Sequence, residues 1–176
     1  MNQVEKLIRD IALSRNRYLK LVNTLTEEQA KWKPSTEKWN TIELTEHLFW
    51  AEHGGLLGMW KTLYSVRAGE ITPQNEAVHH GLSIEEVVER TWKSKEIVPA
   101  VAAPRMGGTL KFWAVSLKGL QNTLKSLGSE LSDADLSILA HPHPISGVLD
   151  FRQRLEFLRF HIDRHDEQVQ NLIEYV

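Results

Sequence analysis

The sequence contains no cysteine. That excludes disulfides, cysteine nucleophiles and thiolate metal ligands together, so any metal must be held by histidine and carboxylate. It also lacks a run of lysine or arginine: 21 basic and 23 acidic residues are interspersed, and the formal net charge is -2. Such a chain has no electrostatic footprint of a nucleic-acid binder. No apolar stretch reaches membrane-spanning length. Where a secretory signal would have an uninterrupted apolar core, the first residues carry Glu5, Arg9 and Asp10 in an amphipathic pattern. A soluble, cytoplasmic protein is expected, with neither membrane nor nucleic acid as partner. Internal repeats, low-complexity tracts, phosphate-cradling glycine motifs and strand-like alternation are absent.

What is present suffices for one substantial core: 41% of the 176 residues are hydrophobic, and a single domain over 1–176 is expected. Val4, Leu7, Ile8, Ile11, Tyr18, Leu19, Val22 and Leu25 follow the helical period, predicting a first helix from Asn2 to about Leu25. Thr26 with Gln29 has the form of a capping box, so a short helical turn runs through Trp32 before Pro34 stops it. Asn40 with Glu43 starts a second long helix, with Trp39 and Leu44 as its hydrophobic staple, reaching about Ala68 with Gly69 as its stop. Gly54, Gly55 and Gly58 inside it each cost about 1 kcal/mol relative to alanine. They point to close packing, a kink or room for a ligand, with close packing the preferred reading.

Residues 70–82, with Pro73, Asn75 and Gly81, read as a loop that leaves His79 and His80 in solvent. Ser83 with Glu86 caps a shorter helix through about Glu96. Pro99, Pro104, Gly107 and Gly108 then mark an irregular segment, either a pocket mouth or, the preferred reading, a crossover packed on the end of the molecule. Thr109 caps a third long helix whose face carries Phe112, Trp113, Val115, Leu117, Leu120, Leu124 and Leu127 and ends before Gly128. Residues Ser132 to Asp135 suit one turn. The prolines of His141-Pro142-His143-Pro144 hold that tetrapeptide extended, and both of its histidines are expected in solvent. Asp150 with Gln153 caps a last helix that continues to the end of the chain. With no basic track beside them, the six tryptophans suit packing better than a stacking platform. The expected fold is all-α, a four-helix bundle with an extra short helix in its central connection.

On the last helix Leu155, Leu158, Ile162, Val169, Leu172 and Val176 define a buried face. His161 and His165 continue it, while Arg154, Arg159, Asp163, Arg164, Glu167 and Gln170 mostly cover the other side. Two imidazoles four residues apart lie one above the other, with Cβ atoms about 6 Å apart, and can share one ion. Buried imidazoles need a partner for each ring nitrogen, so a metal, a hydrogen-bond network or a water must be there. A third ligand on another helix would decide. His47 falls on the stripe of Leu44, Leu48 and Ala51 in the second helix, whereas His53 points elsewhere.

Three stretches occur in order along nearly the whole chain. They are Leu25-Thr26-Glu27-Glu28-Gln29 leading to Trp32-Lys33-Pro34; Trp39-Asn40-Thr41-Ile42-Glu43 followed by His47-Leu48; and His141-Pro142 through Gly147 and Asp150 to His161 and His165. Together they resemble the DinB-like superfamily, also described as DinB/YfiT-like metalloenzymes. The resemblance implies an up-down-down-up bundle, a homodimer, and a divalent metal held by one histidine of the second helix and two of the last, here His47, His161 and His165. Asn40 stands where serine is usual and Asp150 where serine or threonine is usual, and both are good caps. Some relatives are S-transferases that use bacillithiol, mycothiol or glutathione, and others are called hydrolases.

Helices that face each other at about 8–10 Å can bring such a trio together, since metal–nitrogen bonds need about 2.0–2.1 Å. Zinc or nickel suits imidazole ligands. Three protein ligands leave a position open, which suits either hydrolysis or thiol transfer. The expectation is a metal-dependent enzyme acting on a small molecule, as a thiol S-transferase using a low-molecular-weight thiol or as a hydrolase. The alternatives are a non-catalytic metal-dependent ligand-binding or sensing protein, and a structural, oligomerising bundle with hydrogen-bonded histidines. No catalytic residue is assigned beyond the metal ligands. Glu43 is engaged as a cap, and Glu46 lies about 100° around the helix from His47.

Overall fold

A computed structural model describes residues 1–71, 78–92 and 98–175. Among them the helices are α1 (Gln3–Val22), α2 (Glu27–Lys31), α3 (Thr41–Arg67), α4 (Ile84–Thr91), α5 (Leu110–Glu130) and α6 (Phe151–Ile173), with a 3-10 turn at Asp133–Ser137. Helix starts are written in their caps. The Thr26, Asn40, Ser83 and Asp150 side chains each accept from the N3 backbone N–H, while Gln29, Glu43, Glu86 and Gln153 accept from the cap's own N–H. Asn2 and Glu5 do the same for α1, and Thr109 caps α5 by its side chain alone. Each cap is worth about 1 kcal/mol and fixes where a helix begins.

Helix ends depart from expectation. The first helix stops at Val22 rather than near Leu25. The shorter one stops at Thr91, where Trp92 turns extended with φ -90° and ψ 144°. Pro73, Asn75, Glu96 and Val176 lie outside the described residues. Gly128 is not a stop, and α5 runs through it to Glu130. A Cβ at Gly128 would lie 2.9 Å from Ile8 Cγ1, so the missing side chain lets α1 and α5 approach closely. The buried stripe of α5 is Trp113, Leu117, Leu120, Leu124 and Leu127, whereas Phe112 and Val115 are 55% and 63% exposed.

Residue pairings give the directions of the long helices. Val4 and Ile8 flank Gly128 while Arg15 bonds Gln121, so α1 and α5 run antiparallel. Arg17 pairs with Asp163, while Gln3 and Val4 donate to Asp133 in the turn that packs on α6, so α1 and α6 run parallel. His47 meets His161 and Gly55 meets Leu158, so α3 opposes α6. The bundle is up-down-down-up, as the resemblance implies. One apolar core joins all four long helices, and Ile84 and Val87 of α4 make a smaller one with Leu149 and Phe157. Among the described residues no helix is long and apolar enough to cross a membrane.

The main core also holds charge. Arg15 of α1 bonds both Glu52 of α3 and Gln121 of α5, and Arg15 and Glu52 are buried. Burial pushes the Glu52 carboxyl up, against the pull of Arg15. Removing one partner of such a pair strands the other charge, whereas replacing both by apolar groups does not. Arg15→Met should lower the unfolding free energy by about 3–5 kcal/mol, and adding Glu52→Leu should restore most of that loss. Urea denaturation of the two variants checks this, and a double variant no more stable than the single one would overturn it.

Candidate metal centre

His47 lies two turns into α3, and His161 and His165 lie in the middle of α6. Because the helices run in opposite directions, the three rings meet inside the bundle, all of them buried. His161 Nε2 lies 3.1 Å from His47 Nε2 and 3.0 Å from His165 Nε2. One nitrogen from each of the three falls within 4.8 Å of the others. Two nitrogens bound to one tetrahedral metal stand roughly 3.3 Å apart.

A hydrogen-bond network alone leaves the trio short of protons. His47 Nδ1–H donates to the Ala102 carbonyl at 2.7 Å, and His165 Nδ1–H donates to Gln168 Oε1 at 2.7 Å. Both neutral rings therefore present bare Nε2 lone pairs to His161. A neutral His161 has one proton and can serve only one of them. Charging the rings is opposed by burial, which lowers His47, holds His165 at about 3 and holds His161 well below the usual imidazole range, with the neighbouring histidines adding to it. The donor set fits a divalent cation, and the Ala102 and Gln168 contacts are the outer hydrogen bonds that orient metal-binding imidazoles.

The Ala102 carbonyl is itself held by α3. Glu46 is 0% exposed and accepts from the backbone N–H groups of Arg105, Met106 and Gly107 at 2.7, 2.8 and 3.0 Å, and from Trp50 Nε1 at 3.2 Å. Burial alone would raise its carboxyl, but these donors outweigh it and lower it. Gly107 and Gly108 turn there with φ of +67° and +107°, which a side chain would resist. Glu46 is thus an anchor rather than a base, and Glu43 is engaged as a cap and with Lys33. Val98, Pro99, Val101 and Ala102 also line the cavity, so the irregular segment forms its wall as well as a crossover.

That cavity, of about 690 Å³, opens beside the three histidines and is walled by Trp39, Trp50, Trp92 and Phe157. His141 and His143 line it too, contrary to the expectation of exposure. Residues 138–151 fold back as a short hairpin, with Ala140 N–H donating to the Leu149 carbonyl at 2.8 Å and His143 N–H to the Gly147 carbonyl at 2.6 Å. In that extended stretch His141 and His143 face inward while Pro142 and Pro144 stay exposed. The alternation of histidine and proline was the signal in the sequence that both imidazoles share a face.

His143 packs on Phe157 with ring centroids 4.4 Å apart. His141 fills the notch at Gly58, where a Cβ would lie 2.1 Å from its ring. A Cβ at Gly55 would meet Leu158 at an ordinary contact distance of 3.6 Å, and one at Gly54 would meet nothing within 4 Å. Arg154, assigned by the sequence pattern to the polar face, is 6% exposed and lines the cavity. His79 is half-buried with Nε2–H donating to the Ser146 carbonyl at 2.9 Å, His80 is exposed as expected, and His53 stacks on Phe49 outside the cluster.

The sequence model of the DinB superfamily matches residues 10–169. Two crystal structures share the fold. The first is an uncharacterised protein from Clostridium difficile 630, with TM-score 0.60 and 12% identity, covering 100% of this chain and 98% of that one. The second is a conserved protein from Enterococcus faecalis, with TM-score 0.57 and 10% identity, covering 98% and 95%. No curated protein matches the chain.

Two outcomes are expected at this centre. Purified untagged protein should carry about one equivalent of a transition metal that is lost in His161→Ala. Absence of metal, together with no uptake of zinc or nickel at micromolar concentration, would overturn this. The metal-free protein should also lose stability on acidification. From the ordinary 6.5, burial lowers His165 to about 3, and burial with the nearby Arg154 charge lowers His143 to about 3 and His141 to about 4. Below about pH 6.5 the unfolded chain takes up protons that the folded chain refuses until pH reaches about 3–4, so stability falls across that window. The denaturation midpoint should drop between about pH 7 and pH 5, and drop less in His165→Gln. A flat profile would count against neutral buried rings.

Proposed function

The chain belongs to the DinB superfamily, and from that premise we propose a metal-dependent enzyme acting on a small molecule, of the thiol S-transferase type. The observation that carries this reading is the meeting of three histidine Nε2 atoms, too few protons among them, on the wall of a 690 Å³ cavity. His47, His161 and His165 would hold the ion, for which zinc and nickel suit the all-imidazole set. When bound, such an ion supplies Lewis acidity, polarising a substrate oxygen or favouring the ionised form of a thiol.

The chain's own residues supply the rest. Ala102 and Gln168 fix the orientation of two ligand rings. Trp39 packs on His47 at 5.0 Å and Phe157 on His161 at 5.2 Å between ring centroids, giving the site an apolar wall that limits water. Among the described residues Glu37 is the one carboxylate that lines the cavity. Scarcity of a base favours a thiol, with pKa about 8.5, over water, with pKa about 15.7, as the group to be ionised. Hydrolysis is the second reading, and ligand binding without turnover the third.

A low-molecular-weight thiol and a small electrophile are the partners proposed, in the cytoplasm. A homodimer is supported by the resemblance and by Leu57, Trp60 and Tyr64, which lie exposed along one side of α3. Fully metallated protein should form a conjugate from at least one such thiol and a panel of electrophiles, and His161→Ala should abolish it. No conjugate with any low-molecular-weight thiol would remove the transferase reading, and hydrolysis of an ester and amide panel would then replace it.

A further inference from the structure

Arg154 lies seven residues before His161, on the same face of α6 and about 10 Å away along the helix axis. It is 6% exposed, yet it lines the cavity. Among the described residues no carboxylate pairs with its guanidinium. Arg15, also buried, sits on Glu52. The contrast is informative, because buried cations ordinarily have a counter-ion.

Among the described residues the one side-chain hydrogen bond from Arg154 goes to a neutral partner: a guanidinium N–H donates to His141 Nε2 at 2.6 Å. That fixes the His141 proton on Nδ1, which is buried without a partner. His141 cannot swing away inward, since it already fills the notch at Gly58. Burial lowers the Arg154 pKa to about 10, and its uncancelled charge is felt by both His141 and His143. Among the described residues around the cavity three cations, Lys38, Arg154 and Arg164, face one carboxylate, Glu37. A guanidinium that spends one N–H on a histidine keeps four, enough for a planar bidentate contact.

We propose that Arg154, braced by His141, binds a carboxylate of the small-molecule substrate and so places its reacting end at the three-histidine centre about 10 Å away along α6. The proposal rests on the cavity being the substrate site, and it goes further by naming the charge of the substrate and the distance between its two ends. A buried guanidinium with no counter-ion among the described residues is otherwise an unexplained expense of folding.

Hexanoate and 1-hexanol, equal in length and differing in charge, are the probes. Their binding can be followed by the fluorescence of Trp39, Trp50 and Trp92, which line the cavity. Metal-free wild type should bind hexanoate about tenfold or more tightly than hexanol. His161→Ala should keep that preference, Arg154→Met should lose it, and Arg154→Lys should keep part of it. Absence of a preference in wild type, or its survival in folded Arg154→Met, overturns the proposal. Loss of the preference in His161→Ala also overturns it, because the carboxylate would then be reading the histidines.

These measurements need no metal, so failure of the metalloenzyme reading and failure of the Arg154 reading are separable. With zinc-loaded protein, a series of ω-mercaptoalkanoates should show an optimum chain length that is blunted in Arg154→Lys. Affinity rising steadily with length in wild type would mean that nothing anchors the far end. This series decides the matter on its own should Arg154→Met fail to fold.

Discussion

The carboxylate of Glu46 holds three consecutive backbone N–H groups of the segment before α5, and the geometry of the histidine centre depends on that grip. One residue on, His47 uses the carbonyl of Ala102 from the same segment to fix its tautomer. A single turn of α3 thus anchors an irregular stretch and receives from it the hydrogen bond that leaves Nε2 bare. The two residues point about 100° apart on the helix, which removes Glu46 from the chemistry and makes it useful as a strut. A buried carboxylate with four donors is stable as the charged form, so the strut requires no cation.

α3 concentrates most of what is unusual in the molecule. It carries Glu46, His47, the core carboxylate Glu52 and the Gly58 notch, all on sides that face α1, α5, α6 or the cavity. Burying polar groups in a helix bundle is unfavourable unless each has a partner. Here the partners come from different elements: Arg15 from α1, Gln121 from α5, backbone from the crossover and imidazoles from α6. The polar contacts therefore tie the four long helices in one register, which an apolar core alone specifies less sharply.

The cavity follows from the same arrangement. The hairpin between α5 and α6 places His141 against Gly58 and His143 against Phe157. Together with the crossover segment it closes a space whose far wall is the histidine centre. Aromatic walls, three neutral nitrogen donors and a cation two helical turns away give the space two chemically distinct ends. The fold itself does not choose a reaction, as relatives of one architecture can differ in activity.

Much of this was legible in the sequence because it is local. Caps such as Asn40 with Glu43 and Asp150 with Gln153 act across three residues, and the pair His161 and His165 is set by the pitch of one helix. Helix starts, the all-α class and two of the three histidines as neighbours required nothing beyond that periodicity. His47 was legible as a stripe residue, and its place beside the pair rested on resemblance until the antiparallel packing of α3 on α6 put Nε2 within 3.1 Å of His161. What lay beyond the sequence involves contacts between residues far apart in the chain. Gly128 reads as a helix stop and proves to be room for Ile8, Gly58 proves to be room for His141, and Arg154 reads as a surface charge and proves to be buried. Whether a glycine ends a helix or admits a neighbour, and whether an arginine meets water or a cavity, depends on which surface packs against it. Periodicity along one helix determined the elements, and only the packing of helices on one another decided the site.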